Sequence, residues 1–146
     1  AYELEKRLEA AGYTAKCLFI SGSRVPSIPE PNPIYHLPDE EFKRELGRFE
    51  GTPKEVLENQ ELLDFFLPML RADFTMDETY YDKAGIVLHT PIAAFGGEKD
   101  GEADESAILE WGKYTDNDFN YRIFPGGHFY LRDCEDEVIS EVMRLL

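Results

Sequence analysis

Basic residues are scarce in this sequence. Lys and Arg total 15 against 30 Asp and Glu, giving a net charge of −15 over 146 residues. A chain of that sign repels phosphate and has few cations with which to displace counterions, so no nucleic-acid partner is expected. Long apolar runs are missing too. The longest is about Cys17 to Ile20, far short of the roughly 20 residues that span a bilayer, so no membrane partner is expected. No basic segment followed by an apolar one opens the chain, as a secretory signal would. There are two cysteines, and neither Cys17 nor Cys134 has a Cys or His at metal-ligand spacing. They read as free thiols in a reducing cytoplasm, with no metal site. No glycine loop of either phosphate-cradling type occurs, so no cofactor is expected.

What is present suits a packed core. Hydrophobic residues make up 42% and aromatics 13%, and the length fits one domain over 1–146. Tyr2, Leu4, Leu8 and Ala11 are spaced as one face of a helix that stops at Gly12. That helix opens without an N-cap, a Met or an acidic first turn, which suggests residues upstream. Lys16 to Ser23 reads as a buried parallel strand. Pro26, Pro29, Pro31 and Pro33 then force an extended connection.

Residues 38–83 read as helical. Phe42, Leu46 and Phe49 mark one helix, and Thr52-Pro53-Lys54-Glu55 resembles a capping box opening the next. Pro68 is expected to break or kink the stripe of Leu62, Leu63, Phe66, Leu67, Met69 and Leu70. A strand over Thr90–Phe95, a helix over Asp104–Tyr114 and a strand over Phe119–Phe124 follow. A last helix is capped by Asp133, with Val138, Val142 and Leu145 on its buried face. This alternation predicts an α/β fold with parallel strands and crossover helices.

In such sheets reactive groups sit just past the carboxyl ends of strands. Asp100 follows Gly96-Gly97, and His128 follows Gly126-Gly127. An Asp and a His on adjacent loops form the orienting half of a nucleophilic triad, with His as general base and Asp holding its tautomer. His36 and His89 read as surface or packing residues. Asp116-Asn117-Asp118 reads as a polar turn, lacking the glycine and distal Glu of a calcium loop. Ser21-Gly22-Ser23 lacks the spacing of a nucleophile elbow.

Several segments together resemble the type II thioesterases that serve nonribosomal peptide and polyketide synthases, in the α/β-hydrolase superfamily. They are Phe19-Ile-Ser-Gly22 with Pro26, Leu37-Pro-Asp-Glu-Glu-Phe42, and Gly51-Thr-Pro-Lys-Glu55 with Leu57 and Asn59. Phe66-Leu-Pro-Met-Leu-Arg-Ala-Asp-Phe74, Glu78 with Tyr80, Gly97 with Asp100, and Phe124-Pro-Gly-Gly-His-Phe129 complete the match. One departure is Glu50, where the family usually has glycine. The resemblance implies that Asp100 and His128 are the triad acid and base, and that residues about 38–83 form an inserted helical lid over an acyl chamber. It implies a partner: an acyl or peptidyl carrier protein bearing a phosphopantetheine-linked acyl group. Arg24, Lys43, Arg44 and Arg71 are the candidate basic spots for docking it.

The triad order in this fold is Ser, Asp, His, so the resemblance places the nucleophilic Ser upstream of Ala1, with a missing N-terminal half of the same domain. The chain then corresponds to the C-terminal part of an α/β-hydrolase fold, inactive alone and marginally stable, with Lys16–Ile20 as an unpaired edge. Two other readings stay open: a non-catalytic module that binds carrier proteins, and a hydrolase acting on another ester.

Overall fold

The computed structural model describes residues 1–49 and 51–146, so the departure at Glu50 lies outside the described residues. In chain order the elements are α1 (Tyr2–Ala10), β1 (Leu18–Ser21), α2 (Asp39–Leu46), α3 (Lys54–Leu57), α4 (Gln60–Glu78), β2 (Ile92–Gly97), α5 (Glu105–Glu110), β3 (Phe119–Phe124) and α6 (Glu135–Leu145). Short 3-10 turns occupy Trp111–Tyr114 and Tyr130–Arg132. The chain divides into two compact units, Ala1–Val25 with Ala84–Leu146, and Pro26–Lys83.

The first unit holds a three-stranded sheet in the order β1-β2-β3, all parallel. Every residue of β2 is buried, as its unbroken apolar sequence requires of a strand covered on both faces. Its side chains alternate between two cores. Ile92 and Ala94 join Tyr2, Leu18, Ile20, Leu88, Ile108, Trp111 and Tyr114. Ala93 and Phe95 join Phe124, Tyr130, Cys134 and Val138. The register pairs Ser21 with Phe95, and Phe95 with Arg122, so the three strands finish side by side.

Helix boundaries differ from expectation in informative ways. Helix α1 has no side-chain cap, but its first turn does carry acids, Glu3 and Glu5. Leu4 is exposed and Glu5 is buried, the reverse of the apolar-face reading. The reason is polar: the Glu5 carboxylate accepts from Ala15 N at 3.0 Å and from the fully buried Thr90 hydroxyl, so it enters the interior with its hydrogen bonds made. Asp104 does cap α5, accepting from Ala107 N at 2.9 Å, but the helix passes into the 3-10 turn at Trp111. Asp133 does not cap α6. It continues the preceding 3-10 turn, donating its N–H to Tyr130 O, and Cys134 takes the cap position without a side-chain bond.

The second unit is helical. Phe42 and Leu46 of α2 meet Leu63 and Leu67 of α4 and Ile34 of the proline-rich segment. That segment is tied down by Glu78, whose carboxylate accepts from Ile34 N and Tyr35 N. Arg71 donates to the carbonyls of Tyr35 and Leu37 while its guanidinium lies 4.4 Å over the Phe42 ring. The capping box does not form. Helix α3 starts one residue later than the motif requires, and the N–H groups of Val56 and Leu57 close onto Pro53 O. Nor does Pro68 break α4, which runs unbroken through it. Leu63 and Leu67 anchor the buried side, while Pro68 and Asp64 are exposed, so water can serve the Asp64 carbonyl that the proline leaves without a donor.

Candidate active site

The site grows from the carboxyl ends of the three strands. After β2 the chain turns at once, with Asp100 N donating to Gly97 O. After β3 it turns through Pro125-Gly126-Gly127, where Gly126 has φ +113°, a value that favours glycine. Glu98 N donates to Phe124 O and Lys99 N to Gly126 O, both at 2.8 Å, which binds the two loops together.

This clamp brings Asp100 and His128 into contact. His128 Nδ1 lies 3.0 Å from Asp100 Oδ2. The other carboxylate oxygen, Oδ1, accepts from Glu102 N at 2.8 Å and Ala103 N at 3.1 Å. The Asp100 side chain is fully shielded, whereas that of His128 is 36% exposed. A carboxylate that accepts two amide N–H groups through one oxygen has its other oxygen aimed at the ring, which favours the proton on Nδ1. Nε2 is then the basic nitrogen.

A third loop closes the site. Gly22, directly after β1, has φ +55°, and a Cβ there would sit 3.1 Å from His128 Cε1 and 3.4 Å from Asp100 Oδ2. Ser21 Oγ and Tyr130 Oη share a hydrogen bond of 2.7 Å. Burial pushes the Tyr130 phenol above its ordinary value, with the nearby Asp100 charge acting the same way and the Ser21 bond opposing it, so Tyr130 stays protonated. No sequence motif points to Tyr130, and Gly22 enters the sequence as the end of the Phe19-Ile-Ser-Gly22 segment, with no role attached. The available signal was that β1 is itself a parallel strand, so its carboxyl end shares the same edge.

The remaining candidates fall elsewhere. His89 Nδ1 lies 2.9 Å from Asp116 Oδ2, but this pair is at the amino ends of β2 and β3 and its imidazole is 75% exposed. Asn117 Nδ2 donates to His89 O, which makes 116–118 a hydrogen-bonded turn. His36 is exposed and packs against Tyr35. Burial raises the Cys17 thiol, and Cys134 is buried beneath the Pro125 carbonyl, so neither is a poised nucleophile. Three of the candidate docking cations are engaged within the chain. Arg24 donates to Glu102 O, Lys43 pairs with Glu40 and Asp64, and Arg71 holds the turn before α2.

Three parallel strands thus end beside one Asp–His pair, an arrangement found in α/β proteins whose chemistry lies past the strands' carboxyl ends. The family model described as "Thioesterase domain" matches residues 1–146, and the chain belongs to that family. Among curated relatives, Thioesterase PikA5 of Streptomyces venezuelae is 34% identical over 143 residues, covering 97% of this chain and 51% of that protein. Gramicidin S biosynthesis protein GrsT of Aneurinibacillus migulanus is 38% identical over 130 residues, covering 88% and 51%. The chain thus spans about half the length of the curated relatives it matches. Among solved structures, YbtT, a type II thioesterase of the yersiniabactin NRPS/PKS pathway, superposes with a TM-score of 0.88 at 30% identity, covering 98% of this chain and 59% of that one. The resemblance to type II thioesterases, and the α/β fold of these neighbours, therefore hold. No helix among the described residues is long and apolar enough to cross a membrane.

Proposed function

We propose that the full-length protein hydrolyses acyl thioesters on the phosphopantetheine arms of acyl or peptidyl carrier proteins, clearing stalled or wrong acyl groups in nonribosomal peptide or polyketide biosynthesis in the cytoplasm. The observation that carries this reading is the His128–Asp100 pair, 3.0 Å apart, with the carboxylate shielded and held by two backbone N–H groups. In this scheme a serine from a part of the protein preceding residue 1 attacks the thioester carbonyl. His128 Nε2 takes the serine proton and passes it to the departing thiol. It then takes a proton from water, which attacks the acyl-enzyme, and returns that proton to the serine. Asp100 holds the ring and stabilises the imidazolium without itself being protonated. Residues about 38–83 serve as the lid. In support, that unit carries an open apolar hollow of about 270 Å³ bordered by Val56, Phe66, Met69 and Leu70.

The test uses the full-length protein and an acyl-carrier thioester. His128→Ala is expected to abolish release of the acyl group. Asp100→Asn is expected to cost about 10⁴-fold in kcat, the scale of a wrong-tautomer histidine in other triads. Near-normal turnover by His128→Ala overturns the reading. So does an upstream coding sequence without a Gly-x-Ser-x-Gly turn.

A further inference from the structure

The segment Ser21–Arg24 makes four directed contacts around the Asp–His pair. Gly22 N donates to Phe95 O at 2.9 Å, which seats the turn on the end of β2. Ser21 Oγ bonds Tyr130 Oη at 2.7 Å, on the loop that carries His128. Trp111 Nε1 donates to Ser23 O at 2.7 Å. Arg24 donates to Glu102 O at 3.1 Å, and Glu102 N in turn donates to Asp100 Oδ1. Between these ties the Cα of Gly22 faces the imidazole so closely that an added Cβ would lie 3.1 Å from Cε1 and 3.3 Å from Nδ1.

We propose that Ser21–Arg24 is a positioning strap that fixes the plane and tautomer of His128, with Ser21 and Gly22 as its acting residues. Neither touches a reacting atom. The His128 loop leaves β3 through Gly126 and Gly127, which carry no side chains, so its side-chain anchor comes from Tyr130. Its ring stacks on Phe124 with 5.2 Å between centroids and 6° between planes, and its hydroxyl is anchored by Ser21. Gly22 acts directly on the ring: an added Cβ would lie 3.1 Å from Cε1 and 3.3 Å from Nδ1, so the imidazole would have to give by a few tenths of an ångström. The strap thus holds Nδ1 on Asp100, and the geometry of Nε2 follows.

This rests on the assignment of His128 as general base, but its first readout does not. Histidine-selective nitrogen NMR of the full-length protein reports the Nδ1–H signal and tautomer of His128, which is assigned by its loss in His128→Ala. The parent is expected to show a protected Nδ1–H. Ser21→Ala and Tyr130→Phe each delete the same bond and are expected to broaden that signal and raise the Nε2–H tautomer. Ser21→Thr restores the hydroxyl and is expected to rescue it. Gly22→Ala is expected to shift it, because the ring must give by a few tenths of an ångström and the backbone at φ +55° disfavours alanine. Leu46→Val, in the helical unit, is the control for destabilisation and leaves it unchanged. In the full-length protein Ser21→Ala should lower kcat about ten- to a hundredfold with KM held, the scale of a misplacement of order 1 Å. An unchanged His128 spectrum in both folded Ser21→Ala and folded Tyr130→Phe overturns the strap. An inactive parent overturns the thioesterase reading alone, because the spectra still report the strap.

Discussion

Gly97 and Gly127 approach so closely that a Cβ on Gly97 would lie 2.1 Å from the Gly127 carbonyl oxygen. One residue ends β2 and the other ends the turn that leads to His128. Their approach lets the two loops exchange backbone hydrogen bonds, and it sets the spacing between Asp100 and His128.

Gly97→Ala is therefore expected to destabilise the chain by about 3 kcal/mol or more, because the obstruction is backbone and cannot rotate away. Urea denaturation reads the loss. A midpoint equal to the parent's would show that the loops separate at no cost.

Thr90→Val removes the fully buried hydroxyl that serves Glu5 and lies 2.8 Å from Glu9. The volume is kept, but Glu5 loses a donor in the interior. The expected cost is about 1–3 kcal/mol. Unaltered thermal melting would mean that the carboxylates find other donors.

Pro68→Ala restores a donor for the Asp64 carbonyl inside α4 and, at an exposed position, opens no cavity. It is expected to stabilise the helical unit by up to about 3 kcal/mol, less whatever the proline contributed by restricting the unfolded chain. Calorimetry of the parent and variant checks this. A lowered melting temperature contradicts it.

Glu141 is held below its ordinary 4.5, chiefly by Arg144 and further by Arg122, against the opposing effect of burial. A depressed carboxylate stabilises the fold above its unfolded value, and that contribution is lost as pH falls through the folded one. Glu141→Gln is thus expected to be less stable than the parent at neutral pH. The gap should close as pH drops below 4.5. A gap independent of pH would place the effect in packing instead.

Much of the site was legible because parallel strands announce themselves. The apolar run of β2, the Gly-Gly pairs and the order of Asp100 then His128 place both residues at one sheet edge from the sequence alone. The helix caps were less legible. Asp133 and Thr52 both carry capping chemistry, yet neighbouring turns took Asp133 and a one-residue shift bypassed Thr52. Local propensity is worth about 1 kcal/mol at such positions, and tertiary packing readily exceeds it. Glu5 and Leu4 exchanged places for a similar reason. A buried Thr90 hydroxyl and the Ala15 amide offered a carboxylate more than solvent did.

The amino-acid sequence by itself determined the parallel α/β order, the net charge of −15 and the places of Asp100 and His128 after two Gly-Gly pairs. Those properties are carried by residue type and by spacing along the chain. Only the tertiary structure decided that Gly22 lies under the imidazole and that Ser21 reaches Tyr130, 109 positions away. Such contacts depend on the register of β1 against β2 and on where two separate turns finish in space. A one-residue slip in that pairing would send Ser21 to the other face of the sheet.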